Sequence, residues 1–146
     1  NLIKAGRRVN DNMGYYIAEE VCKLFKKKKI KLNKSRILIL GIAYKEDCRD
    51  IRNTLVVDIY KKLKKLYNLE VDIFDPIVNK KDVWNEYKIE LVDNLKSNYY
   101  DGLILAVNHK IFRNMGLKKL IMYAKKKNII YDIKYAFPAK SVDGRL

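Results

Sequence analysis

The pattern of apolar and polar positions changes period once along the chain. From Asp11 to Phe25, the residues Met13, Ile17, Val21, Leu24 and Phe25 recur at helical steps, with Asp11 placed to cap the first turn. The spacing predicts an amphipathic helix that runs out in the lysines of 26–29. A polar connector, "KLNKS", follows, and beyond it short apolar runs alternate with helical patterns. The run "RILILGIAY" is continuously apolar, as suits a strand buried on both faces of a parallel sheet. "NTLVVDIYKKLKKLY" puts Leu55, Ile59, Leu63 and Leu66 on one helical stripe, with Asn53 or Thr54 available as the cap. "LEVDIFDP" predicts a second strand that stops at Asp75-Pro76, because proline cannot donate to a ladder. From Ile77 to Leu95 the pattern weakens and admits a short helix over "VWNEY" and a short strand over "KIELV". "YDGLILAVNH" predicts the next strand. "LKKLIMYAKKK" predicts a helix with Leu117, Leu120, Ile121 and Ala124 on one face, and "NIIYDIKY" the last strand.

Strands alternating with helical patterns imply right-handed βαβ units. The expected fold is therefore α/β: a Rossmann-like, doubly wound, mostly parallel sheet preceded by an amphipathic dimerisation helix. The division falls near Lys31–Ser35, giving a helical region at 1–30 and a sheet domain at 31–146. A lone amphipathic helix must bury its stripe against something, and two-fold partners are the commonest solution. A homodimer through the Asp11–Phe25 helix is expected.

Length and charge narrow the class. The 146 residues suffice for one good core, and no apolar run reaches the 18 residues of a membrane span. The start, "NLIKAGRRVNDNMG", has neither an initiator Met nor the apolar core of a signal peptide and reads as an internal stretch of a longer protein. The formal charge of +15 raises a nucleic-acid-binding module as an alternative. Only seven of the 32 cations are arginine, however, and the lysine runs at 26–29 and 125–127 fall at the ends of helical patterns, where cations meet the helix dipole. A solvated surface is the favoured reading, with no nucleic-acid and no membrane partner. Two cysteines and one histidine, without a CxxC, form neither a disulfide framework nor a zinc set, and fit a reducing, cytoplasmic setting.

The candidate chemistry lies in "GIAYKEDCRDIR", residues 41–52, directly after the first strand. In a doubly wound sheet, ligands bind beyond the carboxyl ends of the strands at the switch point of strand order. A dinucleotide-binding turn would place further glycines here. This loop instead offers Lys45 as a point charge, Arg52 as a bidentate fork and Tyr44 as a ring and hydroxyl, with Asp50 placed to hold Arg52 by an ion pair. It suits a phosphorylated ligand. Cys48 lies among Lys45, Arg49 and Arg52, a setting that can activate a thiol, yet it is assigned no catalytic role. His109 follows a strand end without an identifiable carboxylate partner and is assigned a loop or structural role, while Trp84 is placed in core or rim.

The stretch "ILILGIAYKEDCRDIRNT", followed by "DIFDP", resembles the start of the UDP-binding C-terminal domain of the UDP-glucose/GDP-mannose dehydrogenase family. Its pattern is a strand, G-x-A-[FY]-K, D-x-R-x-[ST] and [YF]-D-P. "AGRRVNDNMGYYIA" resembles the family's central dimerisation helix, "LAVNHKIF" its A-V-x-H-x-x-F segment and "SVDGRL" its D-x-R-L ending. These last features point to the branch that oxidises UDP-N-acetylhexosamines. The resemblance implies a two-step oxidation of a sugar C6 alcohol to the carboxylate with two NAD, serving surface polysaccharide synthesis. It places Tyr44 and Lys45 on the UDP-sugar, and Arg52 on the NAD pyrophosphate across a cleft. Lys134, within Asp132-Ile133-Lys134, meets the nucleotide sugar at a position where arginine is usual. Arg7 or Arg8 would reach a substrate site across a dimer interface, and Arg145 the N-acetylhexosamine or its phosphates. The family's catalytic cysteine motif, G-F-G-G-[ST]-C, and its G-x-G-x-x-G coenzyme turn do not occur in these residues. The chain by itself is expected to bind UDP-sugar without turning it over.

Overall fold

The computed structural model describes the backbone of residues 2–146 and the side chains of residues 12–146. Helix α1 spans Leu2–Lys27 and is followed by β1 (Arg36–Leu40), α2 (Thr54–Tyr67), β2 (Glu70–Phe74), α3 (Lys80–Tyr87), β3 (Tyr100–Leu105), α4 (Lys110–Leu120), β4 (Ala124–Asp132) and β5 (Gly144–Arg145). The strands form one sheet in the order β2-β1-β3-β4-β5, with every pairing parallel. From β1 the chain first steps outward to β2 and then returns past β1 to β3. This reversal is the switch point, and it opens a crevice beyond the carboxyl ends of β1 and β3.

Side-chain alternation divides the central strands between two cores. Ile37 and Ile39 of β1 and Ile104 of β3 join Ile17, Val21 and Phe25 of α1 and Val56, Ile59 and Leu63 of α2. Leu38, Leu40, Leu103 and Leu105 face the other way, toward Phe112 and Leu120 of α4. The expected α/β class and the continuously buried central strands are found.

The apolar stripe of α1 is present, but it is consumed inside the chain. Ile17, Val21 and Phe25 are wholly buried against the sheet and α2. A Cβ added at Gly14 would lie 2.9 Å from the Asp58 Cβ, so the two helices cross closely there. The stripe therefore requires no partner chain. Among the described side chains, the large apolar residues that α1 leaves exposed are Tyr15 and Tyr16.

Four local expectations change. On α2, Leu66 is exposed, and Leu69, turned inward by the left-handed Asn68 (φ 53°), takes the buried place. Asn53 is the cap, accepting the Val56 N–H at 3.2 Å. The "KIELV" segment is not a strand: Ile89 and Leu91 are buried, but the segment gives the sheet a single bond, Val92 N–H to the Ile73 carbonyl at 3.0 Å. The helix expected to run through Lys127 stops at Leu120: α4 is kinked at Gly116 (φ 74°), and after Leu120 a 3-10 turn at Ile121–Tyr123 delivers Ala124 to the start of β4. Ile121 is consequently exposed rather than on a buried helix face. β4 ends at Asp132, short of Tyr135, which takes φ 54°.

Candidate functional site

The loop after β1 begins with a glycine required by two constraints. Gly41 has φ 101°, and a Cβ there would lie 2.5 Å from the Val107 Cβ. The next two residues are drawn inward. The N–H groups of Ile42 and Ala43 donate to Asp75 Oδ2 at 2.8 and 3.0 Å, and the Ile77 N–H donates to Oδ1 at 3.0 Å. Asp75, at the end of β2, is buried, and its Oδ2 also meets His109 Nε2 at 2.9 Å. Burial pushes this carboxyl up, but the hydrogen bonds from His109 and the Ile42 N–H outweigh burial and hold it below the usual carboxylate range.

Past Ala43 the loop closes on itself. The Tyr44 N–H donates to the Asp50 carbonyl at 2.6 Å, and the Asn53 amide donates to the Ala43 carbonyl at 2.9 Å. Asp47, at φ 55°, gives its N–H to His109 Nδ1 at 2.9 Å. Tyr44 and Lys45 are left projecting into solvent between these ties.

The ion pair expected between Asp50 and Arg52 is present at 2.6 Å. The Arg52 side-chain hydrogen bonds lower the Asp50 carboxyl, and in return they raise the guanidinium. Arg52 remains 81% exposed, 5.7 Å from the Tyr44 ring centroid.

A second buried carboxylate shapes the loop after β4. Asp132 Oδ1 accepts the N–H groups of Lys134 and Ala136 at 3.2 and 3.1 Å, and Oδ2 accepts that of Phe137 at 3.0 Å. Lys134 is thereby presented at the carboxyl end of the sheet. Tyr44, Lys45, Glu46, Val107, Asn108 and Lys134 line one cleft of about 290 Å³ at the switch point.

Three of the residues selected from sequence thus converge, Tyr44, Lys45 and Lys134, though they come from loops some ninety residues apart. Arg52 shares the first loop without lining the cleft. Arg145, on β5 beside Asp132, packs its guanidinium 4.0 Å from the Tyr135 ring centroid and also lies outside the lining. Arg7 and Arg8 lie outside the described side chains.

Sequence reasoning left Asp75, Asp132 and Asn108 without a role and found no carboxylate for His109, whose partner is Asp75. The signal was present in the "FDP" and "AVNH" segments, but only the fold brings them together. Cys48 is half-buried and its Sγ accepts the Asp50 N–H at 3.3 Å, a place in the loop's own bonding. Burial pushes the Cys22 thiol up to about 12. Trp84 is a rim residue, half-exposed. Among the described residues no cluster of His, Cys, Asp or Glu could hold a metal ion, and no helix is long and apolar enough to cross a membrane.

The profile of the UDP-glucose/GDP-mannose dehydrogenase family, UDP binding domain, matches residues 38–139. The chain belongs to this family. Among its curated relatives are UDP-N-acetyl-D-glucosamine 6-dehydrogenases from Salmonella typhi, 47% identical over 99% of the chain, and from Pseudomonas aeruginosa, 42% identical over the same share. The chain spans about a third of their length, 34% in each case. Among solved structures, the UDP-D-ManNAc dehydrogenase of Pyrococcus horikoshii superposes with a TM-score of 0.73 at 23% identity, covering 99% of this chain and 32% of that one. An NDP-N-acetyl-D-galactosaminuronic acid dehydrogenase from Methanosarcina mazei gives 0.77 at 22%, covering 94% and 28%. At such identities these two establish the shared fold.

Proposed function

We propose that this chain supplies the nucleotide-sugar-binding part of an NAD-dependent 6-dehydrogenase that oxidises a UDP-N-acetylhexosamine to its uronate for surface polysaccharide synthesis. The observation that carries the reading is the convergence of Tyr44, Lys45 and Lys134 in one cleft at the switch point. Two ammonium groups on separately anchored loops suit the two phosphates of UDP, and the exposed Tyr44 ring offers a surface for the base or sugar. The N-acetylhexosamine branch is favoured over UDP-glucose by the Salmonella and Pseudomonas relatives.

The residues fit NAD only at the edge. The loop after β1 has one glycine, and the space beside it is filled by Val107, so no backbone cradle for a pyrophosphate exists there. Arg52, braced by Asp50 and open to solvent, is the group that would hold an NAD phosphate from across a cleft. NAD, when bound, accepts hydride from C6. The work of this chain's own residues is to bind and orient the nucleotide. Neither Cys48 nor Cys22 takes the nucleophile's part.

In the same reading, residues 1–30 belong to a dimerisation region and 31–146 to the UDP-sugar domain. Since the α1 stripe is buried within the chain, a two-fold contact would use the outer face with Tyr15 and Tyr16. Free thiols and a nucleotide-sugar substrate favour the cytoplasm as the site of action.

Thermal unfolding with added UDP tests the proposal. UDP at a hundred times its dissociation constant should stabilise the protein by about 2.7 kcal/mol. An unmoved midpoint at saturating UDP would overturn the binding role. In the full-length protein, NADH should form faster with UDP-N-acetylglucosamine than with UDP-glucose, and the reverse order would reassign the substrate.

A further inference from the structure

His109 is wholly buried and is not itself among the residues lining the cleft, although its chain neighbour Asn108 is. Its two ring nitrogens have distinct partners. Nδ1 accepts the Asp47 N–H at 2.9 Å and so carries no proton, which leaves Nε2 as the donor to Asp75 Oδ2, also at 2.9 Å. Asp75 Oδ2 in turn gathers the N–H groups of Ile42 and Ala43. Asp47 Oδ1 accepts the Lys110 N–H at 2.9 Å, which ties the same point to the start of α4. One imidazole therefore joins both ends of segment 42–47, and Tyr44 and Lys45 lie between those ends. Asp47 sits in the left-handed region, a conformation that persists only when its surroundings hold it.

We propose that His109 is a positioning residue: its neutral, Nε2-protonated form pins the loop at Asp47 and so sets Tyr44 and Lys45 against Lys134 across the cleft. The inference rests on the reading of that cleft as a nucleotide site. The charged groups that meet the ring are Asp75 beyond β2 and Asp47 in the β1 loop, while Arg113 of α4 pairs instead with Glu46 at 3.3 Å. Phe112 covers the remaining side, its ring centroid 5.5 Å away.

Two substitutions separate the ends of the imidazole. His109→Gln places an amide donor near Asp75 and abandons Asp47, whereas His109→Asn places an acceptor near the Asp47 N–H. In the full-length protein, His109→Gln should weaken UDP binding about tenfold, the worth of one hydrogen bond, with a matching rise in KM and little change in kcat. His109→Asn should restore most of that affinity. Amide hydrogen exchange gives a second reading that does not depend on UDP. Exchange at residues 44–47 should quicken in His109→Gln while the strands stay protected, whereas general loss of structure would quicken exchange throughout. Nitrogen-15 NMR of the unmodified protein should find Nδ1 without a proton. A protonated Nδ1, or unchanged exchange at 44–47 in His109→Gln, overturns the proposal. If the exchange pattern holds but the unmodified protein fails to bind UDP, the nucleotide reading of the cleft falls and the positioning of the loop stands.

Discussion

At the carboxyl ends of the strands, Lys45 and Lys134 stand on loops whose N–H groups converge on buried carboxylates, Asp75 for the first and Asp132 for the second. At the amino ends, the lysine runs of 26–29 and 125–127 meet in a different way. Lys28 Nζ donates to the Asn128 carbonyl at 2.6 Å and pairs with Asp143 at 2.8 Å, while Lys127 Nζ reaches the Lys29 carbonyl at 3.3 Å. The amino end holds more charge. Its lysines, however, are long side chains on a solvated surface, and Lys28 and Lys127 already use their ammonium groups on partners within the protein. The two cations at the carboxyl end ride on backbone already fixed from below. A binding site is thus marked by immobilised geometry and not by the count of charges, which is why a formal charge of +15 is a poor guide to this protein.

The largest effect should come from removing one of the buried anchors. Asp75→Ala leaves the Ile42 and Ala43 N–H groups and His109 without their acceptor in the interior, and should lower stability by about 3 kcal/mol in denaturant unfolding. The sign with pH follows from the direction of the Asp75 shift. Its folded-state carboxyl lies below the unfolded value, so its contribution is complete above the usual carboxylate range and is lost as pH falls through the folded value. Asp75→Asn should therefore flatten the acid side of the stability profile, and an unchanged acid limb would show that other carboxylates govern it.

A smaller and more local effect is expected at the lysine that the anchor presents. Lys45→Ala should leave the unfolding midpoint nearly unmoved while weakening UDP binding about tenfold, or about 1.4 kcal/mol, by titration calorimetry. Equal affinity in the variant would remove Lys45 from the site. The smallest effect belongs to the other end of the sheet. Replacing Lys31, Lys126 and Lys127 together by Gln should change stability by no more than about 0.5 kcal/mol per site and leave UDP affinity untouched. A steeply salt-dependent affinity for duplex DNA that this triple variant abolished would make the amino end a second site and remove the difference between the two ends of the sheet.

How much of this was legible in the chain itself depends on the range of the interaction. The α/β class, the two central strands and the buried stripe of α1 follow from local periodicity, since burial on a helix face or a strand face is written at fixed spacing. The Asp50–Arg52 pair was legible for the same reason, being two residues apart. Leu66, Ile121 and "KIELV" carry patterns that are locally valid but unused: α2 ends at Asn68, which turns Leu69 inward instead, and α4 ends at Leu120, so that Ile121 falls in a 3-10 turn. Lys45 and Lys134 could each be picked out by resemblance to a family motif, but not their meeting in one cleft. That meeting is decided by strand order, with β3 and β4 laid beside β1, and by two carboxylates that find their partners only after the sheet has formed. The closure of Asp75 on His109 and on the β1 loop spans 32–34 residues of chain. No local pattern can encode such a contact, because its entropy of closure is offset only by the packing of everything between.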